Sequence, residues 1–177
     1  RDAVFTGGVL NALQRLCREV PIGCFAQTVN VLPLIIAAED GRMALTPQYL
    51  VFKLYGENTG DHVLKTAVDT DHYRSSGLMR PVPYVDLSAT ATEDGRTIYL
   101  HVVNRHEKEP AELEISFRNF TPKEASCMYV AGEKVDDRNT LGEPDRVKIE
   151  RKDGVVEGGR LHVDLPAHSV NVIKTLG

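Results

Sequence analysis

Adjacent acids and clustered imidazoles are the first residues of this chain whose types could do chemistry. Glu39-Asp40 precede Gly41, and Asp136-Asp137 form a second acidic pair. Two carboxyl groups can share acid and base duties when suitably placed. Both pairs lie in loop-like sequence, however, and acids beside a glycine read as a solvated turn. Asp61-His62 and Asp69-Thr70-Asp71-His72 combine carboxylates with imidazoles, which are common metal ligands. Their spacing argues for a solvated strand edge instead: the two histidines are ten residues apart, and Asp69-x-Asp71 lacks the glycine and glutamate of a calcium loop. His101, His106, His162 and His168 are scattered, and Ser88 and Cys127 lack the local signatures of an activated nucleophile. Gln27 and Asn30 stand apart because they interrupt an apolar run. A glutamine amide both donates and accepts hydrogen bonds, which suits a polyhydroxylated ligand. From the pattern alone, the stronger reading of Gln27 is that it satisfies backbone groups, and Asn30 reads as a structural hydrogen bonder.

The element that must position these two amides is Cys24-Phe25-Ala26-Gln27-Thr28-Val29-Asn30-Val31-Leu32. It is apolar enough to be a strand buried on both faces, within a strand predicted over 22–32. Such a strand needs parallel neighbours and helices over both faces. No other strand is predicted nearby, so the chain reads as the tail end of a larger protein. Before it, Phe5, Val9, Ala12, Leu13, Leu16 and Val20 recur at helical spacing over 2–20, with Pro21 as the stop. Gly7 and Gly8 suit a helix lying close against a sheet. After it, Pro33–Gly41 reads as a loop. Thr46-Pro47 supplies an N-cap and a first helical residue, and Tyr49, Leu50, Phe52 and Leu54 an apolar side; Gly56 and Asn58-Thr59-Gly60 end that helix.

From about residue 63 the period changes to two. Strands are predicted over Val63–Val68, Tyr84–Thr92, Thr97–Asn104, Ala111–Phe117, Ser126–Val130, Val147–Glu150, Leu161–Leu165 and Ser169–Thr175. Tyr84-Val85-Asp86-Leu87-Ser88 alternates only loosely. Asp94-Gly95 is a hairpin signal, Asp153-Gly154 a second candidate turn, and Arg74–Pro83 a loop. Many short strands joined by turns indicate an antiparallel β-sandwich or jelly roll. The expected organisation is therefore α/β over 1–59 followed by an all-β unit over 60–177.

The net charge of −4 and scattered Lys and Arg give no basic face for nucleic acid. No apolar run reaches the ~20 residues of a bilayer span. The chain opens on Arg1 with no secretory signal in view. Cys17, Cys24 and Cys127 form no paired motif and read as reduced, buried thiols of a cytoplasmic protein, and no cofactor or metal is expected.

Several of these segments, taken in order, resemble one family. Ala26-Gln27-Thr28-Val29-Asn30-Val31-Leu32 followed by Leu45-Thr46-Pro47-Gln48-Tyr49-Leu50-Val51-Phe52 resembles the last strand and last helix of the barrel in family-51 α-L-arabinofuranosidases. Asp2-Ala3 and Val9–Leu16 look like the helix before that strand. Val82-Pro83-Tyr84-Val85-Asp86, Val102-Val103-Asn104-Arg105, Asn139-Thr140-Leu141-Gly142-Glu143-Pro144-Asp145-Arg146-Val147 and Leu165-Pro166-Ala167-His168-Ser169-Val170 are similar to successive markers of the family's C-terminal sandwich.

The resemblance implies that 1–59 is the terminal helix-strand-helix of a (β/α)8 barrel and 60–177 a β-sandwich. It further implies a retaining glycoside hydrolase acting on terminal α-L-arabinofuranosyl groups of arabinan, arabinoxylan or their oligosaccharides. The family's two catalytic glutamates would lie upstream of Asp2, so this chain holds no catalytic residue. Gln27 matches a glutamine that contacts the arabinofuranose, which reverses the structural reading of that residue. The implied partners are the N-terminal catalytic barrel, an arabinofuranosyl oligosaccharide and further copies in a homo-oligomer. Endoglucanase activity, known among related members, is a narrower alternative. A carbohydrate-binding module and a purely structural sandwich are the alternatives from other classes. The first is weakened by the absence of Trp and by Tyr73, Tyr84, Tyr99 and Tyr129 lying mostly in strands, where core packing is the default.

Overall fold

The computed structural model describes residues 1–177. In chain order the elements are α1 (Asp2–Arg15), β1 (Ile35–Ala37), β2 (Met43–Leu45), α2 (Pro47–Glu57), β3 (His62–Leu64), β4 (His72–Tyr73), β5 (Val82–Pro83), β6 (Val85–Ala91), β7 (Thr97–Asn104), β8 (Ala111–Ile115), β9 (Glu124–Val130), β10 (Ile149–Asp153), β11 (Val155–Glu157), β12 (Arg160–Leu165) and β13 (Ser169–Leu176). A six-stranded antiparallel sheet, ordered β10-β9-β13-β7-β6-β3, faces a three-stranded one, ordered β11-β12-β8. The pairs β1-β2 and β4-β5 stand outside these sheets. No helix is long and apolar enough to cross a membrane.

Alternation along β7 shows how the layers form. Ile98, Leu100 and Val102 point to the three-stranded sheet and share a core with Leu161, Val163 and Leu165. Val103 points the other way and shares a second core with Ala3 of α1 and Val51, Leu54 and Tyr55 of α2. The six-stranded sheet is thus covered by helices on one face and by strands on the other. That is why β7 and β13 are buried almost without interruption on both faces although their neighbours are antiparallel.

Local signals account for the ends of these elements. Thr46 caps α2, its hydroxyl accepting from the Tyr49 amide at 3.4 Å, with Pro47 at the first helical position. Asn58 and Thr59 bond back to the carbonyls of Leu54 and Tyr55 and close the helix. Asp94-Gly95 forms the β6-β7 turn, with Gly95 at φ 67° and the Asp94 carboxylate accepting from Thr92 and from the Arg96 amide. Gly7 lies where α1 touches the sheet: a Cβ there would fall 2.9 Å from a Val103 methyl and 3.0 Å from Val170.

Five expectations are corrected. Residues 22–32 form no strand; they are coil with a single bridge, Val29 to Ile35, because this chain offers them no neighbouring ladder. Within 33–41, Ile35–Ala37 is a strand, closed onto β2 by a turn at Gly41. The helical stripe over 2–20 stops at Arg15, and its apolar members are not the face packed on the sheet: α1 buries Ala3, Thr6, Gly7 and Asn11. Asp153-Gly154 is not a hairpin turn. The chain crosses there from one sheet to the other, and a Cβ on Gly154 would meet Leu161 at 2.9 Å; the turn is Gly158-Gly159, both at positive φ. Cys127 is buried as expected, whereas Cys17 and Cys24 are exposed.

Candidate functional site

Gln27 lies in the exposed coil between α1 and β1 and makes no hydrogen bond within the chain. Its segment is nevertheless tied down on both sides. Phe25, two residues before, meets Phe52 of α2 edge-on with ring centroids 5.5 Å apart. Asn30, three residues after, sits at φ 62° and pairs with Ala37: its amide nitrogen donates to the Ala37 carbonyl at 3.0 Å and its amide oxygen accepts from the Ala37 N–H at 2.8 Å. The Thr28 carbonyl accepts from the Leu34 and Ile35 amides at 2.9 and 3.0 Å. A free amide thus projects from a loop clamped at both ends.

Beside it lies an unusual apolar surface. A cavity of about 490 Å³ is lined by Phe5, Val9 and Leu13 of α1, by Phe25 and Leu32 of the coil and by Phe52 of α2. Phe5 is 75% exposed and Leu32 is 82% exposed. Helix α1 therefore buries small and polar residues, with Val4 and Leu10 only partly against the core, and turns Phe5 and Val9 outward, unlike a helix finishing a lone domain. Full burial of each such side chain contributes about 1.5–3 kcal/mol.

What holds α1 and α2 in place is polar. Asn11 is buried; its amide nitrogen donates to the His101 carbonyl at 3.2 Å, and its oxygen accepts from the Tyr55 hydroxyl at 2.8 Å. Ser88 Oγ lies 2.8 Å from Asn11 Oδ1 and 2.5 Å from Gln14 Oε1. The His101 ring stacks on Tyr55 at 4.5 Å and meets the Asn58 carbonyl through Nε2 at 2.8 Å, while Nδ1 has no partner. Burial lowers the His101 pKa to about 4 and raises that of the Tyr55 hydroxyl, so both are neutral near pH 7. At the rim, Asp86 accepts from Arg15 of α1 at 2.9 Å and from Arg105 at 2.8 Å.

Several of the remaining candidates fall into structural roles. Asp40 holds the Arg42 side chain at 2.8 Å in the β1-β2 turn. Asp61 accepts from the Glu93 amide at 2.9 Å. Asp137 accepts from the Lys134 amide and from Arg146, contacts that lower its pKa. Its loop lines one cavity with Leu32 and Pro33. His101 and Ser88 are register partners on β7 and β6, but the Ser88 hydroxyl points to Asn11 and Gln14, so they are no base and nucleophile. His168 bonds the carbonyls of Glu107 and Gly132.

Sequence reasoning missed the polar network as a unit. Its members lie up to 90 residues apart, and the one local signal was the loose alternation at Asp86 and Ser88.

Similarity to known proteins points in one direction, by sequence and by structure. The family model described as the alpha-L-arabinofuranosidase C-terminal domain matches residues 1–169. An intracellular exo-alpha-L-arabinofuranosidase of Bacteroides ovatus is 30% identical over 98% of this chain and 34% of its own length. One from Streptomyces lividans, named an intracellular exo-alpha-(1->5)-L-arabinofuranosidase, is also 30% identical, over 98% and 26%. Among solved structures, the thermostable GH51 alpha-L-arabinofuranosidase of Thermotoga petrophila superposes with a TM-score of 0.90 at 28% identity, over 98% of this chain and 37% of that one. The Thermotoga maritima enzyme, solved as an arabinose complex, gives 0.89 at 29%, over 99% and 38%. The chain spans between a quarter and two fifths of the length of these relatives. With nearly its whole length matched, this chain belongs to the family of C-terminal domains of family-51 α-L-arabinofuranosidases.

Proposed function

We propose that this chain works as the C-terminal part of a retaining α-L-arabinofuranosidase that removes terminal arabinofuranosyl groups from arabinan or arabinoxylan oligosaccharides. Both catalytic glutamates are assigned to the barrel polypeptide that precedes it. Residues 1–59 complete that barrel, with 24–32 adopting a β ladder once neighbouring strands lie beside it, and residues 60–177 form the supporting sandwich. The observation that carries this reading is the outward apolar face of α1, continuous with Phe25, Leu32 and Phe52, which a barrel would cover. The intracellular names of the relatives support a cytoplasmic location. Assembly into a homo-oligomer is part of the same proposal.

In this reading Gln27 contacts the sugar. Barrel active sites form at the C-terminal ends of the strands. An amide there donates to one hydroxyl and accepts from its neighbour, orienting the ring, while two carboxyl groups about 5–5.5 Å apart on the preceding polypeptide carry out the double displacement. In the full-length enzyme, Gln27→Ala should lower kcat/KM on an aryl α-L-arabinofuranoside at least tenfold with the folding midpoint unchanged. Unaltered kinetics would leave Gln27 without a role in substrate contact.

A further inference from the structure

Two guanidinium groups share one carboxylate, and a third lines the same cavity. Arg15, in the last turn of α1, gives Nη1 to the Asp86 carboxylate at 2.9 Å and to the Leu87 carbonyl at 2.8 Å. Arg105, just after β7, gives Nη2 to the same carboxylate at 2.8 Å and Nη1 to the Pro83 carbonyl at 3.0 Å. Both carboxylate oxygens of the buried Asp86 are thus engaged. Arg80 stands on the exposed loop between β4 and β5 and makes no ion pair. The three arginines and Asp86 line one open cavity of about 510 Å³, in which two positive charges are left unbalanced.

We infer that this cavity binds a small organic acid, its carboxylate held by the guanidinium groups and its carbon frame by the apolar wall beside them. Guanidinium is always charged and presents a planar fork that matches a carboxylate. Arg15 keeps Nε and Nη2, and Arg105 keeps Nε, free of partners within the chain, so donors remain after Asp86 is satisfied. Asp86 fixes these two side chains before any ligand arrives, which leaves Arg80 as the one arginine to be ordered on binding. Met79, Pro81 and Pro83 supply the wall, and Met79 is 98% exposed. A thioether and two proline rings suit the C–H face of a small ring. A bare phosphate would meet the arginines and leave that wall uncovered; a neutral sugar would use the wall and leave the charges unmatched. Among saccharides the matching class is therefore a uronate. Every group named belongs to residues 1–177, so the site does not depend on where the enzyme's catalytic groups lie.

The test is isothermal titration calorimetry of the full-length enzyme with glucuronate, glucose and inorganic phosphate. Glucuronate should bind more tightly than either of the others, and its affinity should fall as salt is added. Arg80→Ala should weaken glucuronate about tenfold, the loss of one charge-assisted contact, with the folding midpoint unchanged. Arg80→Lys keeps the charge without the fork and should recover part of that loss. Gln27→Ala should leave glucuronate affinity unchanged, which separates this cavity from the proposed sugar contact. No binding of glucuronate, glucose or phosphate bound as tightly as glucuronate, affinity indifferent to Arg80→Ala, or affinity lost with Gln27→Ala would each overturn the inference.

Discussion

Asn30 and Ala37 pair as two residues of a ladder would, except that one partner is a side chain. The Asn30 amide gives and takes one hydrogen bond each with the Ala37 backbone, at 3.0 and 2.8 Å, from a residue held at φ 62°. The Gln27 loop thereby ends at a fixed point on β1. An asparagine is suited to this place because its short amide tolerates the left-handed conformation and still reaches the neighbouring backbone.

Replacing Asn30 separates those two contributions. Asn30→Gly keeps the backbone conformation and loses both bonds; Asn30→Ala loses the bonds and adds a left-handed cost of about 1–2 kcal/mol. In the full-length enzyme, both should reduce kcat/KM, with Ala the less stable of the two by about 1 kcal/mol in urea denaturation. Equal stabilities would mean that the loop relaxes out of the left-handed conformation.

The Asp86 carboxylate is expected to be the most sensitive polar position. It is nearly buried and is shared by Arg15 and Arg105. Removing one partner of a buried ion pair costs about 3–5 kcal/mol, and the partial exposure of Arg15 brings the figure here to about 2–3 kcal/mol. Asp86→Ala should show that loss by chemical denaturation, and Arg15→Ala should show less than half of it.

His101 should make stability depend on pH. Its pKa falls from 6.5 to about 4 because the ring is buried. The unfolded chain therefore binds a proton below pH 6.5 that the folded chain refuses until about pH 4. The stability at pH 7.5 should decline as the pH falls through that window, by about 3 kcal/mol at most, and rise again toward neutrality. His101→Asn should flatten the slope between pH 6.5 and 4 in urea titrations; an unchanged slope would assign it to other groups.

Two glycines in helices should respond oppositely to alanine. At Gly7 the added methyl overlaps Val103 and Val170, and overpacking of this kind costs about 1–3 kcal/mol. At Gly56 nothing lies within 4 Å of the added carbon, so the helical preference for alanine should stabilise by about 0.5–1 kcal/mol. Thermal midpoints of Gly7→Ala and Gly56→Ala should therefore move in opposite directions.

The sandwich is legible where a residue's own neighbours decide its structure. Thr97–Asn104 is predicted to the residue because alternation and the Asp94-Gly95 turn fix its ends. The helix over 2–15 is legible as a helix, and Gly7 as its contact with a sheet, but not its orientation, because the face that meets the sheet is chosen by residues far along the chain. The segment 22–32 fails as a strand because a ladder needs partners that this chain does not supply. Asp153-Gly154 misleads because the dipeptide permits a turn without requiring one, and the crowding by Leu161 that fixes Gly154 comes from another strand. The network of Asn11, Tyr55, Ser88 and His101 is invisible because each member is ordinary in its local context, and only the docking of the helices on β6 and β7 brings them together.

The most direct test of the account is hydrolysis of p-nitrophenyl α-L-arabinofuranoside by the purified 177-residue chain beside the full-length enzyme. The account predicts turnover by the full-length enzyme and none above background by the chain alone, since both catalytic carboxylates are assigned to the preceding polypeptide. Hydrolysis by the chain alone at a comparable rate, with its intact mass verified, would contradict it.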